Sequence, residues 1–148
     1  MTDVQKNELI VKFEVDGSEV KLSPKIVQEY LVSGDAQISI QEFKLFTELC
    51  KVRKLNPFLR EAYIIKFGSQ PAQLVVGKDA IMKRAIKHPQ FNGKQHGVIV
   101  QDSDLNIIER KGTFKLPNET LLGAWAKVFR KDWDHPTEVT VAFDEVAQ

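Results

Sequence analysis

Cysteine is all but missing. Cys50 is the only one in 148 residues, which excludes an internal disulfide framework and any cysteine-rich zinc site. Its place on an apolar helical face marks it as a small core residue. Long apolar runs are missing too, since nothing approaches the roughly 18 consecutive apolar residues of a membrane-spanning helix. The opening Met1-Thr2-Asp3-Val4-Gln5-Lys6 has no basic segment leading into an apolar one, so a secretory leader is not expected. Histidine is scarce, and His88, His96 and His135 stand at spacings that match no metal motif. Asp102 and Asp104 read as a solvated turn. There is no G-x-S-x-G, no P-loop and no H-E-x-x-H. Repeats and low-complexity tracts are absent as well. The expectation is a cytoplasmic, non-membrane protein of one domain, without a catalytic centre or a cofactor.

What is present is an ordinary globular composition, 28% charged and 43% hydrophobic, with nine Phe, two Trp and two Tyr to anchor a core. The net charge of +1 conceals a division along the chain. Residues 1–37 carry −3, residues 38–97 carry +7, residues 98–133 carry +1, and the remainder from Asp134 carries −4. A basic middle between acidic ends points to one cationic surface, suited to phosphates or simply to solvent.

Periodicity places the elements. Leu9-Ile10-Val11-Lys12-Phe13-Glu14-Val15 and Glu19-Val20-Lys21-Leu22 flank Asp16-Gly17 and read as a hairpin. Ser23-Pro24 starts a short helix through Val32, which Ser33-Gly34-Asp35 ends. Ser39-Ile40-Gln41-Glu42 is a capping box. It opens the strongest helix, with Ile40, Phe43, Phe46, Leu49, Cys50 and Val52 at helical spacing up to the stop at Asn56-Pro57. Strands are expected at 62–67 and 73–76 around the turn Gly68-Ser69-Gln70-Pro71. A second helix follows over 78–88, with Ala80, Ile81, Ala85 and Ile86 inward. Four strand candidates close the chain, at 97–100, 107–114, 121–131 and 137–143. Turn signals between them favour an antiparallel sheet or meander, and the fold class is α+β with two main packed helices.

Four blocks carry a resemblance. Leu55-Asn56-Pro57-Phe58-Leu59-Arg60-Glu61-Ala62-Tyr63, Leu74-Val75-Val76-Gly77-Lys78-Asp79, Pro89-Gln90-Phe91-Asn92-Gly93 and Phe129-Arg130-Lys131-Asp132 with His135-Pro136 resemble, in order and spacing, the signatures of the RecT/Bet family of phage single-strand annealing proteins. The likeness covers residues 38–146, the family-like DNA-binding core, with 1–37 as an N-terminal hairpin and short helix. It implies sequence-independent binding of single-stranded DNA and annealing of complementary strands without ATP or metal. It also implies an annealed duplex intermediate, homo-oligomeric rings or filaments, and a phage 5′–3′ exonuclease that supplies the strands. Family members usually continue into a further basic helical segment, whereas this chain stops at Gln148, so the core part of the family is what it resembles.

Annealing of any sequence calls for cations on the backbone and uncommitted base edges. The candidates inside or beside the matched blocks are Arg60, Lys78, Lys83, Arg84, Lys87, Arg130 and Lys131, set against the plainer reading of solvated charges. Lys83 and Lys87 stand at i,i+4 on one helix face, with Arg84 about 100° away. Trp133, in a polar turn, reads as a base or subunit contact or as a cover for its own domain edge. Phe58 fits a core plug or an aromatic contact, with the core plug favoured, and Trp125 is read as packing. The alternative function is a non-enzymatic oligomerisation module or an inactive recombinase fragment.

Overall fold

The computed structural model describes residues 9–147. The stretch from Met1 to Lys6, read above as lacking a leader, lies outside the described residues. Two compact units divide the chain, one running to Arg84 and one beginning at Ala85.

The first unit starts with the hairpin β1 (Val11–Val15) and β2 (Ser18–Leu22). Val15 pairs with Ser18, so the loop is Asp16-Gly17 alone, and both residues take positive φ, 49° and 81°. That is the twist-matched two-residue turn for which Asp-Gly is suited. The Ser23 hydroxyl accepts the Ile26 N–H and caps α1 (Pro24–Ile26), which widens into a π-helical turn over Val27–Leu31. The helix ends sooner than its sequence predicts. Val32–Ser33 form β3 instead, a two-residue strand too short for alternation to reveal.

β3 runs parallel to β4 (Ala62–Ile65), and β4 is antiparallel to β5 (Gln73–Val76). The parallel pair needs a crossover, and α2 (Ile40–Arg53) supplies it. The capping box at its start is complete: the Ser39 hydroxyl accepts the Glu42 N–H at 3.1 Å, and the Glu42 carboxylate accepts the Ser39 N–H at 2.7 Å. Phe43, Phe46, Thr47 and Cys50 are its buried face. They meet Val15, Val20, Leu22, Val27, Leu31, Leu55, Ala62, Ile64 and Ala80 in one core. Burial pushes the Cys50 thiol up to about 12, as befits an inert core residue. Val52 is exposed, contrary to expectation, because two residues beyond Cys50 is about 200° around the helix. Lys54 closes the helix in the left-handed region, at φ 52°.

Glu42 also reaches out of its helix. It receives Lys66 Nζ at 2.7 Å and the Ala72 N–H at 3.0 Å, so one carboxylate ties α2 to both ends of the β4–β5 connection. The Lys66 hydrogen bond, then the Ser39 N–H, hold its pKa down at about 2.

α3 (Lys78–Ile86) follows β5. Ala80 is buried, whereas Ile81 and Ile86 are exposed rather than inward. Stepping about 100° per residue from Ala80 carries both off its face.

In the second unit a four-stranded antiparallel sheet has the order β7-β6-β8-β9, with β6 (Phe91–Gln101), β7 (Ile107–Lys111), β8 (Thr120–Arg130) and β9 (Thr137–Ala142). β6 and β7, and β8 and β9, are neighbours in sequence, while β8 lies on the far side of β6 from β7. β6 is much longer than the 97–100 read from sequence. Asn92-Gly93, read as a turn, is a bulge inside the strand: the register shifts between Phe91 and Lys94, and Gly93 has φ 98°. The 143 end of the last strand is instead the first residue of a single turn, α4 (Phe143–Val146). Trp125 is buried, as expected, and lies over Gly97 on the neighbouring strand, where a β-carbon would stand 2.7 Å from the indole ring. Arg110 and Glu119 form a two-pronged pair at 2.5 and 2.6 Å, and Glu119 also accepts the Leu116 N–H. The Arg110 hydrogen bonds, then that N–H, hold Glu119 at about 2.

Because Glu42 and Glu119 are both depressed from 4.5 to about 2 in the folded chain, their stabilisation is complete above the ordinary carboxylate value and is lost as pH falls towards 2. Urea denaturation at a series of pH values should show this loss, and Glu42→Gln and Glu119→Gln should each flatten the curve in that window. Phe46→Ala, which empties a fully buried site, should cost about 3–5 kcal/mol. Val52→Ala, by contrast, should stay within about 0.5 kcal/mol of the parent.

Candidate nucleic-acid interface

The first two sequence blocks interlock. Asn56 caps a short 3-10 turn, Pro57–Leu59, by accepting the Phe58 N–H on its side chain at 3.0 Å. Pro57 is buried and fills the core position, which leaves Phe58 51% exposed; the core reading of Phe58 is thereby corrected. Arg60 ends the turn in the left-handed region, φ 60°, with its N–H on the Pro57 carbonyl. The next residue, Glu61, is buried. Its carboxylate accepts the Asn56 N–H at 2.7 Å and Lys83 Nζ at 2.9 Å. Its carbonyl accepts the Gly77 N–H at 2.9 Å.

Gly77 is needed at that junction. A β-carbon there would stand 2.5 Å from the Arg60 carbonyl oxygen. The close approach brings Arg60 beside the start of α3, where Lys78 is exposed.

Lys83 faces the same junction but is occupied. It bridges Glu61 to Asp16 in the β1–β2 turn. The hydrogen bond it donates to Asp16, then that to Glu61, raises its pKa above the usual lysine value. Arg84 is exposed on the neighbouring helix position. Among the described residues, Arg60, Lys78 and Arg84 have no carboxylate partner, so their charge is directed to solvent.

The other two blocks meet in the second unit. Phe91 pairs with Arg130 across β6 and β8, and the Lys131 N–H donates to the Gln90 carbonyl at 2.9 Å. Arg130 holds Asp132 through two hydrogen bonds, 2.9 and 2.7 Å, which raise the arginine's pKa and lower the aspartate's. The guanidinium stands 4.8 Å from the centre of the Trp133 ring, a cation–π contact. Trp133 nonetheless remains 54% exposed. Lys131 is exposed beside it, and Lys87 is exposed just past the last residue of α3.

The eight sequence candidates are thus divided. Arg60, Lys78, Lys83 and Arg84 belong to the first unit; Lys87, Arg130, Lys131 and Trp133 belong to the second.

Sequence reasoning passed over one feature of the first unit. A cleft of about 440 Å3 is lined by Tyr30, Leu31, Pro57, Phe58 and Arg60. Among the described residues, no three His, Cys, Asp or Glu side chains gather as a metal site. Asp102 is taken up by its own turn, accepting the Asp104 and Asn106 N–H groups at 2.9 and 2.8 Å. Among the described residues no helix is long and apolar enough to cross a membrane.

Gly77→Ala should cost about 1–3 kcal/mol, measured by urea denaturation, since the carbonyl it strikes is backbone. Lys83→Met should lower the melting temperature by leaving Glu61 buried without its cation. The double variant with Glu61→Gln should recover part of that loss.

Two comparisons bear on this arrangement. The RecT family model matches residues 18–148, from within the hairpin to the end of the chain. No curated protein matches.

Proposed function

The chain belongs to the RecT family, and from that membership we propose that it anneals complementary DNA strands without ATP, gripping the phosphate backbone through lysine and arginine. RecT-family proteins are non-catalytic annealing proteins of phage recombination that bind single-stranded DNA and oligomerise. The observation that carries the finer reading is that, among the described residues, the candidates Arg60, Lys78 and Arg84 around the first interlock and Lys131 beside the second are exposed and have no carboxylate partner. Such charges release counterions when they meet phosphates and read no base. Lys87, exposed just past the last residue of α3, is a further candidate for a phosphate contact. Lys83 and Arg130 serve in part as positioning residues, because each already holds a carboxylate of its own chain. Trp133, half exposed under the Arg130 guanidinium, is assigned a base contact.

The partners follow from the same reading. A phage 5′–3′ exonuclease supplies the single strands, and the product is the annealed duplex. Self-assembly has a surface to use, since Val128, Val139 and Val141 are exposed on β8 and β9.

Titration with a single-stranded oligonucleotide over a range of salt tests the proposal. The parent should bind more weakly as salt rises. Arg60→Gln, Lys78→Gln and Arg84→Gln should each weaken binding on all sequences alike and reduce the slope of log affinity against log salt by about 0.7 per lost contact. Salt-insensitive binding, or none, rejects the backbone grip. Complementary strands that pair no faster with the protein than without it reject the annealing activity.

A further inference from the structure

The cleft lined by Tyr30, Leu31, Pro57, Phe58 and Arg60 combines three things that a solvated surface does not require. Tyr30 is 68% exposed, yet it is set on the π-helical turn between the buried anchors Val27 and Leu31, so its base is fixed while its ring faces outward. A π turn of this kind is rare and frequents functional sites. Phe58 is half exposed on a turn that is equally fixed, by the Asn56 cap and by buried Pro57. Arg60 sits two residues on, held in the left-handed region, with no carboxylate partner among the described residues. Leaving two aromatic rings in water forfeits apolar burial, and the fold does so on rigid backbone at the rim of one cleft of about 440 Å3.

The chemistry fits a flat ring that carries a phosphate. We propose that this cleft seats one unstacked nucleobase of a single DNA strand on its aromatic side chains, while Arg60 holds the adjoining phosphate. The inference rests on the single-strand-binding reading above and adds a base-stacking site to the backbone grip. Aromatic side chains take up the face of any base, so the site is indifferent to sequence. They leave the Watson–Crick edge uncommitted, which is what a strand seeking its complement needs. The +7 charge of residues 38–97 favours a polyanion over an apolar peptide as the occupant.

The test compares oligo(dT) with an abasic oligonucleotide of equal length, using the full chain. The parent should prefer oligo(dT). Phe58→Ala should lose about tenfold in affinity for oligo(dT) and none for the abasic strand, with an unchanged salt slope. Tyr30→Ala should behave alike, and Phe58→Trp should restore the preference. A 2-aminopurine base within the strand should change its fluorescence on binding the parent and not on binding Phe58→Ala. Parent-like binding of oligo(dT) by Phe58→Ala overturns the base site and leaves the backbone reading intact. Equal losses on both strands overturn it as well, by assigning Phe58 a structural role. Altered self-assembly without DNA in Phe58→Ala, with the oligo(dT) preference kept, gives the cleft to a second copy of the chain and overturns it too. A parent that binds neither strand overturns the cleft and the single-strand reading together.

Discussion

The carboxylate of Glu61 is the point on which the first unit turns. A charge buried there is tolerable only if it is paired and hydrogen-bonded, and its partners are one near in the chain and one distant. The Asn56 N–H arrives from the turn after α2, and the Lys83 ammonium from α3. Lys83 in turn holds Asp16 at the tip of the β1–β2 hairpin. Gly77 lets the backbone of β5 close against Arg60 at the same place. Three separate segments are thereby fastened around one buried anion, and the cations left over are presented on a rigid base.

This arrangement recasts what the recognisable blocks are for. Asn56, Pro57, Glu61 and Gly77 make the junction, while Arg60 and Lys78 are displayed by it. The second pair of blocks follows the same logic, with the Phe91 to Arg130 pairing and the Asp132 clamp fixing a guanidinium over Trp133. Residues that build the junction and exposed candidates alternate within a few positions, so a motif match does not by itself separate the two.

Much of the architecture was legible because local chemistry decided it. Asp16-Gly17 admits a tight hairpin, Ser39 and Glu42 close a capping box, and Asn56-Pro57 stops a helix, each for reasons confined to a few residues. Tertiary choices were not legible. Of the adjacent Pro57 and Phe58, the proline is buried and the phenylalanine half exposed, and nothing local decides between them. The β3 strand is too short to show alternation, and its pairing with β4 is long-range. β6 hid behind Asn92-Gly93, where glycine marks a bulge as readily as a turn. The candidate cations were visible as a charge excess, whereas the division between committed and free ones was not. Lys83 finds Asp16 from 67 positions away, and no spacing rule reaches that far.

Glu42 adds a kinetic corollary. The same carboxylate closes the first turn of α2 and holds the Ala72 amide, so neither hydrogen bond is secure while the other is open. Loss of that carboxylate would expose the Ser39 and Ala72 amides together. The helix start and the loop ahead of β5 are thus held by one side chain, although Glu42 and Ala72 are separated by 30 in sequence number.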